Sequence, residues 1–334
     1  GGGGVEGGVG GVGGRGVGGG QAAGARDAGP DEPPPAGHPY TMLEMIRRFA
    51  AGMLAASGEE AALRDRHLDE CVARAEEAEA QLRGPEQEAW ILRLDAEREN
   101  FRAAFDWCQR SAEGIEKGFR LVSNLRGYWL VRGHLSEGLR HCDELFARTA
   151  PEAPLRGRAL LTAASLAWRR GDLATARARA EEAIGPWRAS GDDFSLGLGL
   201  LGTLSAEEGR HAQGRAELEE AVELTRRTRG RGAIPGLLCN LGVLAANLGD
   251  LAGALACYEE ALAIYRETGN HQLAAAILGN LAATAMDLGD LPRARALAEE
   301  GVAALRATGD RRSLADCLHT ASRVAYLQGD LERA

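Results

Sequence analysis

The chain has 334 residues, 45% of them hydrophobic but only 5% aromatic, and its 39 basic against 48 acidic side chains give a formal charge of −9. That balance repels phosphate backbones and anionic lipid, so composition disfavours direct nucleic-acid binding and attachment to a membrane surface. No apolar run approaches the ~18 residues that a spanning helix needs, and the N-terminus has neither the charged nor the apolar region of a signal peptide, which points to the cytoplasm.

Residues 1–38 are dominated by glycine and end in the turn-forming run Gly29-Pro30-Asp31-Glu32-Pro33-Pro34-Pro35. Such a segment cannot bury enough apolar surface to offset its chain entropy and reads as disordered. Gly8, Gly10 and Gly13 satisfy G-x-G-x-x-G, but the match follows from composition and no strand precedes it. From Tyr40, the apolar residues Met42, Leu43, Met45, Ile46 and Phe49 predict a short strand followed by a helix that ends before Gly58. Two long amphipathic helices are expected next, broken near Gly84-Pro85: one over 59–83 with Leu63, Leu68, Val72 and Ala75, the other over 86–112 with Trp90, Leu92, Leu94, Phe101, Phe105 and Trp107. Residues 39–114 thus form a helical connector.

Past residue 115 the chain repeats. Glycines at 133, 171, 209, 249, 289 and 329 are separated by 38, 38, 40, 40 and 40 residues, and four of them, Gly171, Gly249, Gly289 and Gly329, are followed by Asp-Leu. A second punctuation, Gly191-Asp192, Gly230, Gly269-Asn270 and Gly309-Asp310, halves each period, so every unit is predicted to be a helical hairpin. Glycine enters the left-handed conformation that closes a helix, and the aspartate after it caps the first free amides of the next. Five residues past the glycine comes alanine, at Ala176, Ala254, Ala294 and Ala334, where a small side chain lets the two helices approach. The expected fold is all-α, an α-α superhelix of five hairpins and a partial sixth over 115–334.

The unit over 234–270, with Asn240-Leu241-Gly242, Gly249-Asp250, Ala254, Tyr258 and Ala261, resembles a tetratricopeptide repeat, and Leu281, Ala294 and Ala298, or Ala164, Ala176, Ala180 and Ala183, give the same pattern in neighbouring units. The departures are the longer period and Arg266 where the family's closing proline falls. Further upstream, Tyr40 to Ala50, Arg66-His67, Leu82 to Glu86 and Ala96 to Ala104 are similar to the segment between the winged-helix end and the repeat arm of actinobacterial signal-transduction ATPase regulators of the LuxR, AfsR and MalT-like kinds. The resemblance spans about residues 39–334 and implies a fragment of a larger regulator. No G-x-x-x-x-G-K-[ST] occurs, and the sole lysine, Lys117, lacks a glycine loop, so nucleotide binding is not expected.

Other chemistry finds little support. The six cysteines include no C-x-x-C pair and read as small apolar helix residues. His134, His141 and Cys142 could share a helical face but lack a third ligand at metal spacing, so neither metal nor cofactor is expected. The pairs Glu219-Glu220, Glu259-Glu260 and Glu299-Glu300 recur at the repeat period, as a solvated outer face would, whereas a catalytic pair would be unique. The chain therefore reads as a protein- or peptide-binding scaffold and not an enzyme. In the family, the residue two before the packing glycine often faces the groove of the first helices; the resemblance places Asn240 and Asn280 there. By the same register Trp168, Arg169, Thr203, Glu207, Asn247, Met286, Asp287, Arg323 and Tyr326 should line it. Asparagine amides suit a peptide backbone, although they could equally tie adjacent repeats together. The rival expectation is a self-assembly or autoinhibitory module that docks onto its own ATPase or a second copy.

Overall fold

A computed structural model describes residues 44–82, 86–110, 112–150, 153, 155–190, 194–308 and 311–330. The glycine-rich segment, the corners at Gly84-Pro85, Gly191-Asp192 and Gly309-Asp310, and Ala334 lie outside them. Among the described residues the secondary structure is helical throughout.

Four helices precede the repeats: α1 (Glu44–Ser57), α2 (Glu60–Gln81), α3 (Gln87–Ala96) and α4 (Arg98–Cys108). The start of the short strand expected from Tyr40 lies outside the described residues; from Glu44 the chain is helical, with Met45, Ile46, Phe49 and Met53 at i, i+1, i+4 and i+8, a helical period. The second expected helix is two, because Glu97 leaves helical geometry at φ −90°, ψ 1°. Glu97 interrupts the helix between two runs of buried residues, Trp90, Ile91 and Leu94 on α3 and Phe101, Ala104 and Phe105 on α4. Leu63 and Leu92 point outward.

Five antiparallel hairpins follow: α5 (Ala112–Arg132) with α6 (Leu135–Phe146), α7 (Arg156–Arg169) with α8 (Leu173–Ser190), α9 (Ser195–Glu207) with α10 (His211–Arg229), α11 (Pro235–Asn247) with α12 (Leu251–Glu267), and α13 (His271–Asp287) with α14 (Leu291–Thr308); α15 (Arg311–Leu327) is the first helix of a sixth. One apolar core runs from Leu68 in α2 to Leu204 in α9, and another from Leu198 to Leu281 in α13. Each hairpin is therefore buried by its neighbours, which is how a solenoid is held.

The corners show why the motif recurs. At Gly249, φ is +80°, its amide donates to Ala246 O, and the Asp250 amide reaches back to Ala245 O at 2.9 Å, a Schellman closure. Asp250 Oδ1 then accepts from the Gly253 amide at 3.0 Å, so one residue both seals α11 and caps α12. Asp172 and Asp290 make the same cap, on Thr175 and Arg293. The backbone hydrogen bonds to those amides hold the Asp172 and Asp250 carboxyls below the usual carboxylate range. Five residues on, Ala176, Ala254 and Ala294 are fully buried. The two complete units without alanine there have Gly138 and Gly214, where a Cβ would lie 2.6 Å from the Trp129 ring and 2.8 Å from Gly202 O.

The second helices are stitched together by ions. Arg179 of α8 pairs with Asp143 of α6 at 2.9 Å, Arg226 of α10 with Glu260 of α12 at 3.5 Å, and α14 supplies Glu300 to Arg266 and Arg293 to Glu259. Of the glutamates that recur at the repeat period, Glu259 thus pairs with the following repeat and Glu260 and Glu300 with the preceding one.

Candidate functional site

The first helices carry a different surface. Along α7, Arg158, Leu161, Thr162, Ser165 and Trp168 fall at i, i+3, i+4, i+7 and i+10, and α9 repeats the spacing with Leu196, Gly199, Leu200 and Thr203. These two stripes, with Leu237 and Asn240 of α11, Ser123 and Arg126 of α5 and Glu79 of α2, enclose a cavity of about 310 Å³. Side chains from four successive hairpins meet there, none of which could form the site alone.

Its hydroxyls are oriented by the helices that carry them. Ser123 donates to Phe119 O at 2.7 Å, Thr162 to Arg158 O at 3.2 Å, Ser165 to Leu161 O at 2.8 Å and Thr203 to Gly199 O at 3.0 Å. With each proton used on the carbonyl four residues back, these oxygens offer only lone pairs to the cavity. Thr203 Oγ1 spends one of its lone pairs on Asn240 Nδ2 at 3.2 Å, which ties α11 to α9. Trp168 Nε1 donates to Glu207 at 2.8 Å and ties α7 to α9.

Of the residues placed in the groove by register, Trp168, Thr203 and Asn240 come together in the cavity, and Glu207 joins them through Trp168. Arg169, Asn247, Asn280 and Asp287 are exposed but do not line it. Met286 is a correction: it is 5% exposed and packs with Ala285, Ala294 and Val324, although it stands three residues before its corner glycine just as Trp168 does. Arg323 and Tyr326 lie elsewhere, beside Ser322 and Leu327 on α15. The register argument missed Arg126, Arg158 and the leucine floor. The signal for the floor was available, since stepping back from Trp168 and Thr203 by three or four residues reaches each of its members on α7 and α9.

The histidine–cysteine pair has a structural setting. His141 stacks on Phe105 with ring centroids 4.0 Å apart and lies 6.4 Å from the Trp129 ring. Burial, with Arg140 beside it, holds the His141 pKa below the usual imidazole value. Cys142 is fully buried, which pushes its thiol pKa up. Among the described residues no three His, Cys, Asp or Glu side chains are grouped to hold a metal, and no helix is long and apolar enough to cross a membrane.

Residues 234–307 match the family model for the tetratricopeptide repeat. Curated relatives from Mycobacterium bovis and Mycobacterium tuberculosis, named as candidate HTH-type transcriptional regulators, are 33% identical over 204 residues, 56% of this chain and 22% of theirs. The chain thus spans about a fifth of the length of these relatives. Two solved structures share the fold. One is a Signal Transduction ATPase with Numerous Domains from Pyrococcus horikoshii that has a tetratricopeptide repeat sensor (TM-score 0.55, 13% identity, 80% of this chain and 43% of that one). The other is a Rap protein complexed with Competence and Sporulation Factor (TM-score 0.53, 14% identity, 83% of this chain and 94% of that one).

Proposed function

Since this is a tetratricopeptide repeat chain, with the family's corners in every hairpin and a cavity formed by its first helices, we propose that it is a recognition scaffold that binds a protein or peptide segment in that cavity. The observation that carries this is the convergence of Trp168, Thr203 and Asn240, from three different repeats, on one concave surface. The similarity to the mycobacterial regulators supports the sensor or partner-docking arm of a bacterial transcriptional regulator as its setting, and with it the cytoplasm. Recognition is the mechanism: the site offers hydrogen-bond acceptors and apolar surface, and no nucleophile paired with a base. Neither direct contact with nucleic acid nor catalysis belongs to this function.

Selection of a displayed random-peptide library on the purified chain tests it. The selected peptides should lose binding to the Trp168→Ala and Asn240→Ala variants and keep it for Arg266→Ala, on the ion-paired second helices. Peptides that bind all three alike would overturn the assignment.

A second reading, self-association or docking onto another domain, is favoured by α1. Met45, Ile46, Phe49 and Met53 are 84%, 53%, 70% and 60% exposed on one side of that helix. Light scattering over a hundredfold concentration range separates the readings, because a scaffold with a free groove stays monomeric.

A further inference from the structure

We infer that the third hairpin holds a joint: α9 and the linker from Gly230 to Gly232 open locally while the helices on either side stay folded, and the cavity is complete only when the joint is closed. The joint is independent of what the cavity binds.

The apolar core divides at α9. Leu201 and Leu204 belong to the core that begins at Leu68, Leu198 on the same helix belongs to the one that ends at Leu281, and Phe194 just before it packs against both. A solenoid is held only by contact between neighbours, so the helix shared between two cores is where it opens first. The sequence of α9 weakens it further. Gly197, Gly199 and Gly202 stand within its 13 residues, and glycine is the least favourable helix residue after proline. Over its 17 residues α13 has Gly279 alone. The three glycines are notches for neighbouring helices. A Cβ at 197 would lie 2.2 Å from Ile184 Cγ2 of α8, one at 199 would lie 2.3 Å from Leu237 Cδ2 of α11, and one at 202 would lie 2.7 Å from Leu218 Cγ of α10. Helix α9 therefore owes its form to three neighbours more than to its own residues, and it loses one of those supports when α11 moves away.

The polar ties from the third hairpin to the fourth are long. Arg226 reaches Glu260 at 3.5 Å, Arg215 reaches Asp250 at 3.3 Å, and Asn240 Nδ2 donates to Thr203 at 3.2 Å. From the second hairpin to the third, Arg177 holds Glu208 at 2.7 Å and Ser205 Oγ at 2.9 Å, and Trp168 holds Glu207 at 2.8 Å. The backbone enters the fourth hairpin through Gly230, at φ +83° and ψ 173°, then Arg231 and Gly232, and two glycines in three residues make this linker easy to rotate. The cavity has walls on both sides of the joint. Ser123, Arg126, Arg158, Leu161 and Trp168 stand before it, and Leu237 and Asn240 after it. Opening carries the last two away from the rest, so the joint gates the site without any side chain that acts as a lid.

Hydrogen–deuterium exchange of the whole chain without denaturant, read by mass spectrometry, tests this. Amides of residues 195–207 and 230–234 should be protected about tenfold less, or weaker still, than those of α7 and α13. Equal protection of α7, α9 and α13 overturns the joint. Two variants then ask whether the glycines are the cause. Leu237→Ala empties the notch at Gly199 and should speed exchange in α9. Once that leucine is truncated, the closest remaining contact of a Cβ at 199 is Ala221 Cβ at 3.9 Å, so alanine fits there. Adding Gly199→Ala to Leu237→Ala should therefore slow α9 exchange by about fivefold, the helix preference of alanine over glycine, and leave α7 and α13 unchanged. An unaltered rate in α9, or an equal shift in α7, overturns the inference. If Leu237→Ala does not fold, the protection of α9 in the parent chain decides alone.

Discussion

Replacing Gly249 by alanine isolates what the repeat corner needs from glycine. A Cβ built there meets nothing within 4 Å, so the substitution introduces no clash and the whole cost is conformational, at φ +80°. The left-handed region costs an L residue about 1–2 kcal/mol, and alanine recovers about 0.4–1 kcal/mol by stiffening the unfolded chain, which leaves a net loss of about 1 kcal/mol. Gly52 is the matched control. It too has open space around its Cβ, but it sits within α1 with no positive φ. There the same methyl group should stabilise by about 1 kcal/mol, the helix-propensity difference between glycine and alanine. The two variants add identical atoms to open surface and should differ by about 2 kcal/mol with opposite signs. Urea unfolding followed by circular dichroism at 222 nm, compared at a common slope, reads the difference. If Gly249→Ala proves neutral, or the two variants shift the midpoint in the same direction, the corner does not depend on left-handed glycine and the account of the repeat is wrong.

Further outcomes follow from the same structure. Gly242→Val should destabilise its hairpin by about 1–3 kcal/mol through overpacking, because a Cβ at 242 would sit 2.6 Å from the Tyr258 ring, and Tyr258→Leu should restore part of the loss in the same urea assay. His141 titrates below the ordinary imidazole value because it is buried beside Arg140, so the unfolded chain takes up its proton first as pH falls. Wild-type stability should therefore drop from pH 7.5 to 5.5 by more than that of His141→Leu, and equal drops would contradict the burial argument. For Glu137, burial alone would raise the pKa, but hydrogen bonds from Arg98 and Arg102 outweigh it and hold the carboxyl low. Its contribution is complete above the unfolded value near pH 4.5 and is lost as pH falls through the folded one, so the stability gap to Glu137→Gln should close toward pH 3. Burial pushes the Cys108 thiol up to about 12 and that of Cys142 higher, so a thiol reagent at pH 8 should leave both unlabelled in the folded chain and modify both in denaturant.

The repeat was legible because its corners are local. A left-handed glycine, an aspartate cap and a small residue at the hairpin crossing each act within a few residues, and their spacing survives in the sequence as a period of 38 to 40. The connector was less legible. The break at Glu97 carries no glycine or proline to mark it, and the buried residues on either side keep one helical period across it, so the sequence reads as a single helix. The site was legible in part for the same reason. The family resemblance pointed to Asn240 and register to Trp168 and Thr203, all of which line the cavity, but register also assigned Met286 to the groove, and that side chain is buried. Arg158 stands three residues before Leu161 on the same stripe, so spacing could have reached it; what spacing does not give is the stacking that brings it to one cavity with Arg126.

The division of labour between the two helices of each hairpin explains why recognition belongs to the first. Where neighbouring second helices meet, long charged side chains reach across from repeat to repeat, as Arg226 does to Glu260 and Arg266 to Glu300, and a ligand there would have to break those pairs. Facing first helices instead use short side chains, Ser165, Gly199 and Thr203, whose hydroxyls are satisfied by their own backbone. Short side chains leave a channel, and hydroxyls turned inward on their helix give it acceptors without obstructing it. A repeat whose first helix carried arginine or glutamate at positions 165 and 203 would close that channel with ion pairs of its own. Serine and threonine at these positions are thus what converts a stack of hairpins into a surface that can be occupied.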